Sequence, residues 1–320
     1  MKRRRLLVLG AGLPLAALIF VAMRATGVGL FAEKMRSAPV VIFVVMDTVR
    51  ADRTSLCGYR YPTTPNLEEL VRDGASHACY SHAPSTWTLP SHASFFTGVG
   101  PDQHRAGSGG GPEAMKWDSV TPLDERLPTL AEEMSARGYQ TLLLSGNPVV
   151  AERMGLTRGF DHVAIGRRFT MMHDHRLAER LKGLLSVSRL DPKRPLFAFV
   201  NIADPHTPWT AIPDSAGFLP AREGMAAQPE RRRYESGAMS SEEAERWLSH
   251  LSDVYDYSIW RADRSLGLIL DVFRSRGWLD EDYRLVITSD HGEYLGEHQM
   301  VEHGREFFYE PVTRVPFIYY

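Results

Sequence analysis

Short apolar runs punctuate the chain, and several of them end at an acidic or imidazole side chain. Val40–Met46 (VVIFVVM) is β-branched and without a polar break, as expected of a strand buried on both faces of a mostly parallel sheet. It ends at Asp47. Pro195–Ile202 (PLFAFVNI) reads as another buried strand, ending at Asp204-Pro205-His206, and Leu285–Thr288 as a third, ending at Ser289-Asp290-His291. Thr141–Ser145, followed by the turn Gly146-Asn147-Pro148, and Val315–Tyr320 complete the predicted strands. Between them, Pro65–Arg72 (closed by Gly74), Pro90–Phe96 (stopped by Gly98) and Pro128–Arg137 (ended by Gly138) read as helices. Ser240 with Glu243 forms a capping box opening a helix expected to reach Arg276, with Gly277 as its stop. Residues 207–238 carry many Pro, Gly and Arg and little periodicity, and read as a long loop of the functional kind.

Strands alternating with helices predict an α/β fold with a largely parallel central sheet. In such sheets the carboxyl ends of the strands form the ligand crevice. Three strand ends carrying Asp47, His206 and Asp290-His291 therefore point to one shared site.

The N-terminus departs from this pattern. Lys2, Arg3, Arg4 and Arg5 precede an uncharged run, Leu6–Met23, eighteen residues long. That length suits a spanning helix, although Gly10, Gly12 and Pro14 weaken it. Basic residues on its N-terminal side place the rest of the chain outside the cytoplasm. An uncleaved membrane anchor is preferred over a cleaved signal, because Met23 and Arg24 interrupt the small-x-small pattern around Ala22–Ala25. The expected division is thus an anchor or signal segment with linker over 1–36 and a catalytic domain over 38–320, secreted if the signal is cleaved.

Composition narrows the class further. A net charge near −2 and the absence of a basic helix face argue against nucleic-acid binding. Two cysteines, Cys57 and Cys79, could pair outside the cytoplasm or remain buried thiols; their spacing does not choose.

Asp290-His291 offers a carboxylate and an imidazole to one cation, a mixed oxygen and nitrogen set that divalent metals accept. Pro90 suits the first turn of a helix, which leaves Thr88 at or just before its N-terminus. A hydroxyl there faces free backbone N–H groups and the positive end of the dipole, a favourable position for an anionic ester. Read alone, Thr88 or Thr86 is better taken as a helix cap.

These segments resemble the sulfatase family of the alkaline phosphatase superfamily. The likeness runs through Asp47-Thr-Val-Arg-Ala-Asp52, Cys57-Gly-Tyr, Pro62-Thr-Thr-Pro-Asn66-Leu and Thr88-Leu-Pro-Ser-His-Ala-Ser-Phe-Phe-Thr-Gly98. It continues through Gly159-Phe-Asp161, Pro205-His206-x-Pro208, Ser289-Asp-His-Gly-Glu293, Gly296-Glu-His298, His303-Gly304 and Arg314-Val-Pro316. The resemblance implies an alkaline-phosphatase-like three-layer αβα sandwich. It also implies a smaller C-terminal subdomain, which a chain ending at Tyr320 is expected to lack.

By position, Thr88 stands where sulfatases carry the cysteine or serine that matures to formylglycine. An unmodified threonine implies instead a metal-bound nucleophile, as in the phosphate-transferring branches, with Asp47, Thr88, Asp290 and His291 holding one divalent ion. Mn, Zn, Mg and Ca are all open, and the mixed donor set favours Mn or Zn over Ca. His206 matches a general acid. His303 and Arg305 match residues near the leaving group, although Arg305 beside Glu306 also reads as a surface residue.

His92 stands at the motif arginine and Asn147 in place of the sulfate-contacting lysine, so both are expected to bind substrate. Fewer cations suit a singly charged phosphodiester, and the expected substrate is a small-molecule, glycan or lipid-headgroup ester. A sulfuric ester hydrolase and a catalytically inactive binding domain are the alternatives. Asp52, Asp256 and Asp263 read as structural, and Arg231–Arg233 as a solvated loop.

Overall fold

The computed structural model describes residues 38–107, 120–166, 175–188, 190–280, 282–304 and 307–320. The anchor or signal segment expected over 1–36, and Arg305, lie outside the described residues. Among the described residues, no helix is long and apolar enough to cross a membrane.

Residues 39–320 form one compact unit. Its strands are β1 Val40–Met46, β2 Ser76–His82, β3 Gln140–Ser145, β4 His162–Ile165, β5 Leu196–Ile202, β6 Tyr283–Thr288, β7 Tyr294–Leu295, β8 Val301–Glu302 and β9 Arg314–Tyr319. Seven of them make a sheet in the order β2-β9-β6-β1-β5-β3-β4, while β7 and β8 pair as a separate hairpin. Strands β6, β1, β5, β3 and β4 run parallel, and β9 is antiparallel to both β6 and β2.

The period-two alternation of β1 divides the core in two. Ile42, Val44 and Met46 pack with helices α1 Pro65–Arg72, α4 His175–Val187 and α6 Ser241–Arg274. Val45, Phe199 and Leu143 turn the other way, onto α2 Thr88–Thr97 and α3 Leu130–Ala136. Helices thus cover both faces of a mostly parallel sheet, the three-layer arrangement that the family resemblance implies.

Register then assembles the strand ends. Val45 lies opposite Asn201 on one side and Thr288 on the other, and Ser145 also lies opposite Asn201. The residues that follow these positions, Asp47, Asp290 and Asn147, therefore emerge side by side.

Several sequence expectations change. Strands β2 and β4 escape pattern reading because they are the two edges of the sheet. β2 (SHACYSH) is mostly exposed and has no apolar run. Residues 207–238 are not an unstructured loop. They contain the helix α5 Glu230–Glu235 and the antiparallel bridges Trp209–Met225 and Ile212–Arg222. Arg231 is not solvated: it is 7% exposed and ion-paired with Glu235 and Glu302. Cys57 and Cys79 form a disulfide, tying the loop after β1 to the edge strand β2.

The carboxylates read as structural hold elements together. Asp263 on α6 caps α1 from outside, accepting from Asn66 N at 2.8 Å, Asn66 Nδ2 at 2.7 Å and Leu67 N at 3.1 Å. Those backbone donors belong to the first turn of α1, where no intrahelical acceptor exists. Asp263→Ala leaves them unpaired in the core and is expected to cost about 2–4 kcal/mol. Urea unfolding of the full chain measures this, and a loss below about 0.5 kcal/mol would show that the cap carries no weight.

Candidate active site

Asp47 follows β1 and is completely buried. Its Oδ2 accepts from Asn147 Nδ2 at 2.6 Å and from Asn201 Nδ2 at 3.0 Å. Asp290 follows β6 and is equally buried, with Oδ1 accepting from Thr48 N at 3.2 Å and His291 N at 3.1 Å. The Nδ1 of His291 lies 2.9 Å from Gly292 O. A carbonyl can only accept, so Nδ1 carries the proton and Nε2 presents a bare lone pair.

Each of these three side chains keeps one atom without a hydrogen-bond partner: Asp47 Oδ1, Asp290 Oδ2 and His291 Nε2. They face one another. His291 Nε2 is 3.4 Å from Asp290 Oδ2 and 3.9 Å from Asp47 Oδ1. One ligand atom from each of the three residues lies within 4.8 Å of the other two.

Unsatisfied buried acceptors are costly, and three converging on one point repel. Burial and the neighbouring Asp47 push the Asp290 carboxyl well above its usual range. Burial would raise Asp47 too, but His206, His291 and the Asn147 hydrogen bond hold it low. A divalent cation satisfies all three acceptors at once and offsets both carboxylates, and two oxygens with one neutral imidazole form a suitable donor set. These residues fit a metal ion.

The backbone beside this centre is strained. Thr48 has φ +61°, in the left-handed region that a β-branched residue rarely enters. That turn aims Thr48 N at Asp290, while Thr48 O accepts from the buried Tyr255 hydroxyl of α6 at 2.6 Å.

Thr88 is the first residue of α2 and only 3% exposed. Its Oγ1 accepts from Asn147 Nδ2 at 3.1 Å, so one amide bridges the threonine hydroxyl and Asp47. The amide's orientation is fixed by Val149 N donating to Asn147 Oδ1 at 2.8 Å.

His92 lies one turn along α2 and is completely buried. Its Nδ1 donates to Thr88 O at 2.9 Å, and its Nε2 lies 3.3 Å from Asn201 Nδ2. Burial pushes its pKa down to about 4, so it is neutral and no substitute for a cation. His92 and Asn147, expected as substrate contacts, have hydrogen-bond partners within the protein: Thr88 and Asn201 for the imidazole, and Asp47, Thr88 and Val149 for the amide.

His206 and His303 complete the cluster. The His303 ring centroid lies 4.3 Å from that of His291 and 4.9 Å from that of His206. His303 Nδ1 faces the Glu293 carboxylate at 3.1 Å, while burial and His206 push its pKa down to about 3. Gly304 N donates to Thr86 O at 2.9 Å, tying this loop to the approach of α2.

Asn201 and Glu293 were not singled out from sequence. Asn201 had a signal, being the one amide in the apolar run PLFAFVNI. Glu293 had none beyond following Asp290-His291.

A mostly parallel α/β sandwich with a buried carboxylate–imidazole centre at its strand ends defines the class. The sulfatase family model matches residues 39–320, and the chain belongs to the sulfatase family. It is 22% identical to an arylsulfatase of Clostridium perfringens over 88% of this chain and 68% of the relative. Among solved structures it is similar to the phosphonate monoester hydrolase of Agrobacterium radiobacter, with a TM-score of 0.63, 21% identity and coverage of 88% and 68%. It is also similar to the C-terminal periplasmic domain of phosphoethanolamine transferase EptC from Campylobacter jejuni, with a TM-score of 0.55, 17% identity and coverage of 88% and 78%.

If the three acceptors hold a metal, adding Mn²⁺ or Zn²⁺ to chelator-treated full chain should raise its melting temperature by about 5 °C. Asp290→Asn should abolish most of that rise. An equal rise in the variant would place metal binding elsewhere.

Proposed function

We propose that this chain is a metal-dependent ester hydrolase or transferase working by phosphoryl transfer, with Thr88 as nucleophile and a phosphodiester of the lipid-headgroup type as substrate. The observation that carries this reading is the hydroxyl of Thr88 at a helix N-terminus, joined through one amide to Asp47 beside the three convergent acceptors. A threonine does not supply the cysteine or serine from which formylglycine is made.

A divalent ion at Asp47, Asp290 and His291 would supply Lewis-acid stabilisation of developing negative charge. The chain's own groups account for the rest. Asn147 commits both protons of its amide nitrogen, one to Asp47 and one to Thr88, so the Thr88 hydroxyl can only accept from it. Its own proton then points away from Asn147; as the Oγ1–phosphorus bond forms and the bond from phosphorus to the departing alcohol oxygen breaks, that proton is passed on to the alcohol. The first turn of α2 offers backbone N–H groups to the phosphoryl oxygens. We assign the relay of that proton to His303 and His206, whose ring centroids lie 4.9 Å apart: the neutral His303 accepts it, and the departing alcohol oxygen receives it. Transfer of the phosphoryl group from Thr88 to water or to an acceptor alcohol completes the cycle.

The choice of ester follows from charge. The side-chain partners of Thr88 and Asp47 are the amides of Asn147 and Asn201, not cations. One negative charge on a diester is better matched to such a site than two on a monoester. The similarity to a phosphoethanolamine transferase domain supports this choice, and the Cys57–Cys79 disulfide supports a location outside the cytoplasm. Membership of a family containing an arylsulfatase keeps sulfate ester hydrolysis as the second reading.

The full chain with Mn²⁺ should hydrolyse bis(p-nitrophenyl) phosphate with kcat/KM at least about tenfold above p-nitrophenyl phosphate and p-nitrophenyl sulfate, a difference of about 1.4 kcal/mol. Thr88→Ala should lower that value by about 10³-fold. A preference for the sulfate ester, or full activity in Thr88→Ala, defeats the proposal.

A further inference from the structure

The segment that leaves β5 at His206 and returns to open α6 at Ser241 also braces the opposite side of the cluster. Its helix α5 lies against the β7–β8 hairpin. Tyr234 Oη donates to Gly296 O at 2.9 Å, and Gln299 Nε2 donates to Tyr234 O at 3.3 Å. Arg231 is the buried centre of this contact. Its Nη1 donates to the Glu302 carboxylate and its Nε to Glu235 Oε1 at 3.1 Å. The same Glu235 oxygen accepts from Val301 N at 3.2 Å, so the side chains of α5 grip both residues of β8.

Glu302 has φ +65°, a conformation unfavourable for any residue with a Cβ. Such a backbone persists only where its surroundings over-determine it. Here the restraint on the side chain is a buried guanidinium, a planar fork that loses little freedom on pairing. The next residue is His303, held on its far side by Glu293 at 3.1 Å and followed by the Gly304–Thr86 hydrogen bond.

The geometry points to Arg231 as a positioning residue for His303. By fixing Glu302 in its left-handed turn, it sets where the imidazole stands relative to His291 and His206. This role rests on the proposed part of His303 in proton transfer. One continuous segment, beginning at His206 and gripping β8 through Arg231, then sets the separation of both histidines.

The test uses the full chain with Mn²⁺ and bis(p-nitrophenyl) phosphate, together with peptide-level hydrogen exchange read by mass spectrometry. Arg231→Met should lower kcat by about 10²-fold with KM changed less than about threefold, since misplacing a reacting group by an ångström costs that much. Added to His303→Ala, it should cause no further loss, because both changes remove the same placement. Arg231→Lys should recover part of the rate. Exchange should quicken over residues 294–304 and stay unchanged in β1 and β5.

Losses that multiply with His303→Ala, or an unchanged rate of exchange in the hairpin, overturn the proposal. Should Arg231→Met fail to fold, Glu302→Gln loosens the same pair from its other end and must give the same non-additive loss. Should the wild type show no diesterase activity, the functional reading falls. The exchange measurement still decides whether Arg231 holds the hairpin.

Discussion

Two carboxylates and an imidazole, each fully withdrawn from water and each with an acceptor atom turned toward the others, are costly to hold together without a shared proton or a cation. Much of the described architecture makes that arrangement unavoidable. Parallel pairing of β6, β1 and β5 brings their carboxyl ends level, so that Asp290, Asp47 and Asn201 from those ends meet in one small volume. Asn147 and Asn201 fix the second oxygen of Asp47, while backbone donors fix the second oxygen of Asp290. Each carboxylate is left with one direction in which to bind. The protein orients its acceptors before any ligand arrives, so a cation would meet donors whose ordering cost is already met.

Around this centre the helices divide their work. α2 delivers Thr88 on one side of the sheet, and α6 crosses the other side, pinning the loop after β1 through Tyr255. Neither helix reaches the site with a charged side chain near Thr88. Asn147 and His92 stand where the family pattern carries a lysine and an arginine, and neither adds charge, the first being an amide and the second a neutral imidazole. This supports the proposed preference for an ester carrying a single negative charge.

Much of the fold could be read from the chain, and the limits are physical. β1, β5 and β6 were legible to within two residues because burial on both faces leaves no polar break. The capping box at Ser240 marked the start of α6, since both of its hydrogen bonds are local. Edge strands β2 and β4 were not legible, because a strand with one free edge needs few apolar side chains. Asp47, Thr88, His206, Asp290, His291 and His303 were legible as an ordered set of motifs, but their burial was not. Arg231 misled because its partner Glu302 is 71 positions away, and local sequence cannot distinguish a paired arginine from a solvated one. The disulfide was left open because 22 residues of separation permit a bond without requiring it.

The left-handed Thr48 carries a further implication. A non-glycine residue in that conformation sacrifices stability to hold its amide on Asp290, with Tyr255 closing the turn from below. Glycine there would relax the backbone and add conformational freedom to the unfolded chain, so its net effect on folding is a contest between two small terms. Its effect on geometry is not balanced in the same way, because glycine would also widen the set of turns open to the folded loop. Position 48 is thus a place where folding stability and the geometry of the centre can respond differently to one change. A glycine there could leave stability nearly unaltered and still loosen the centre beside it.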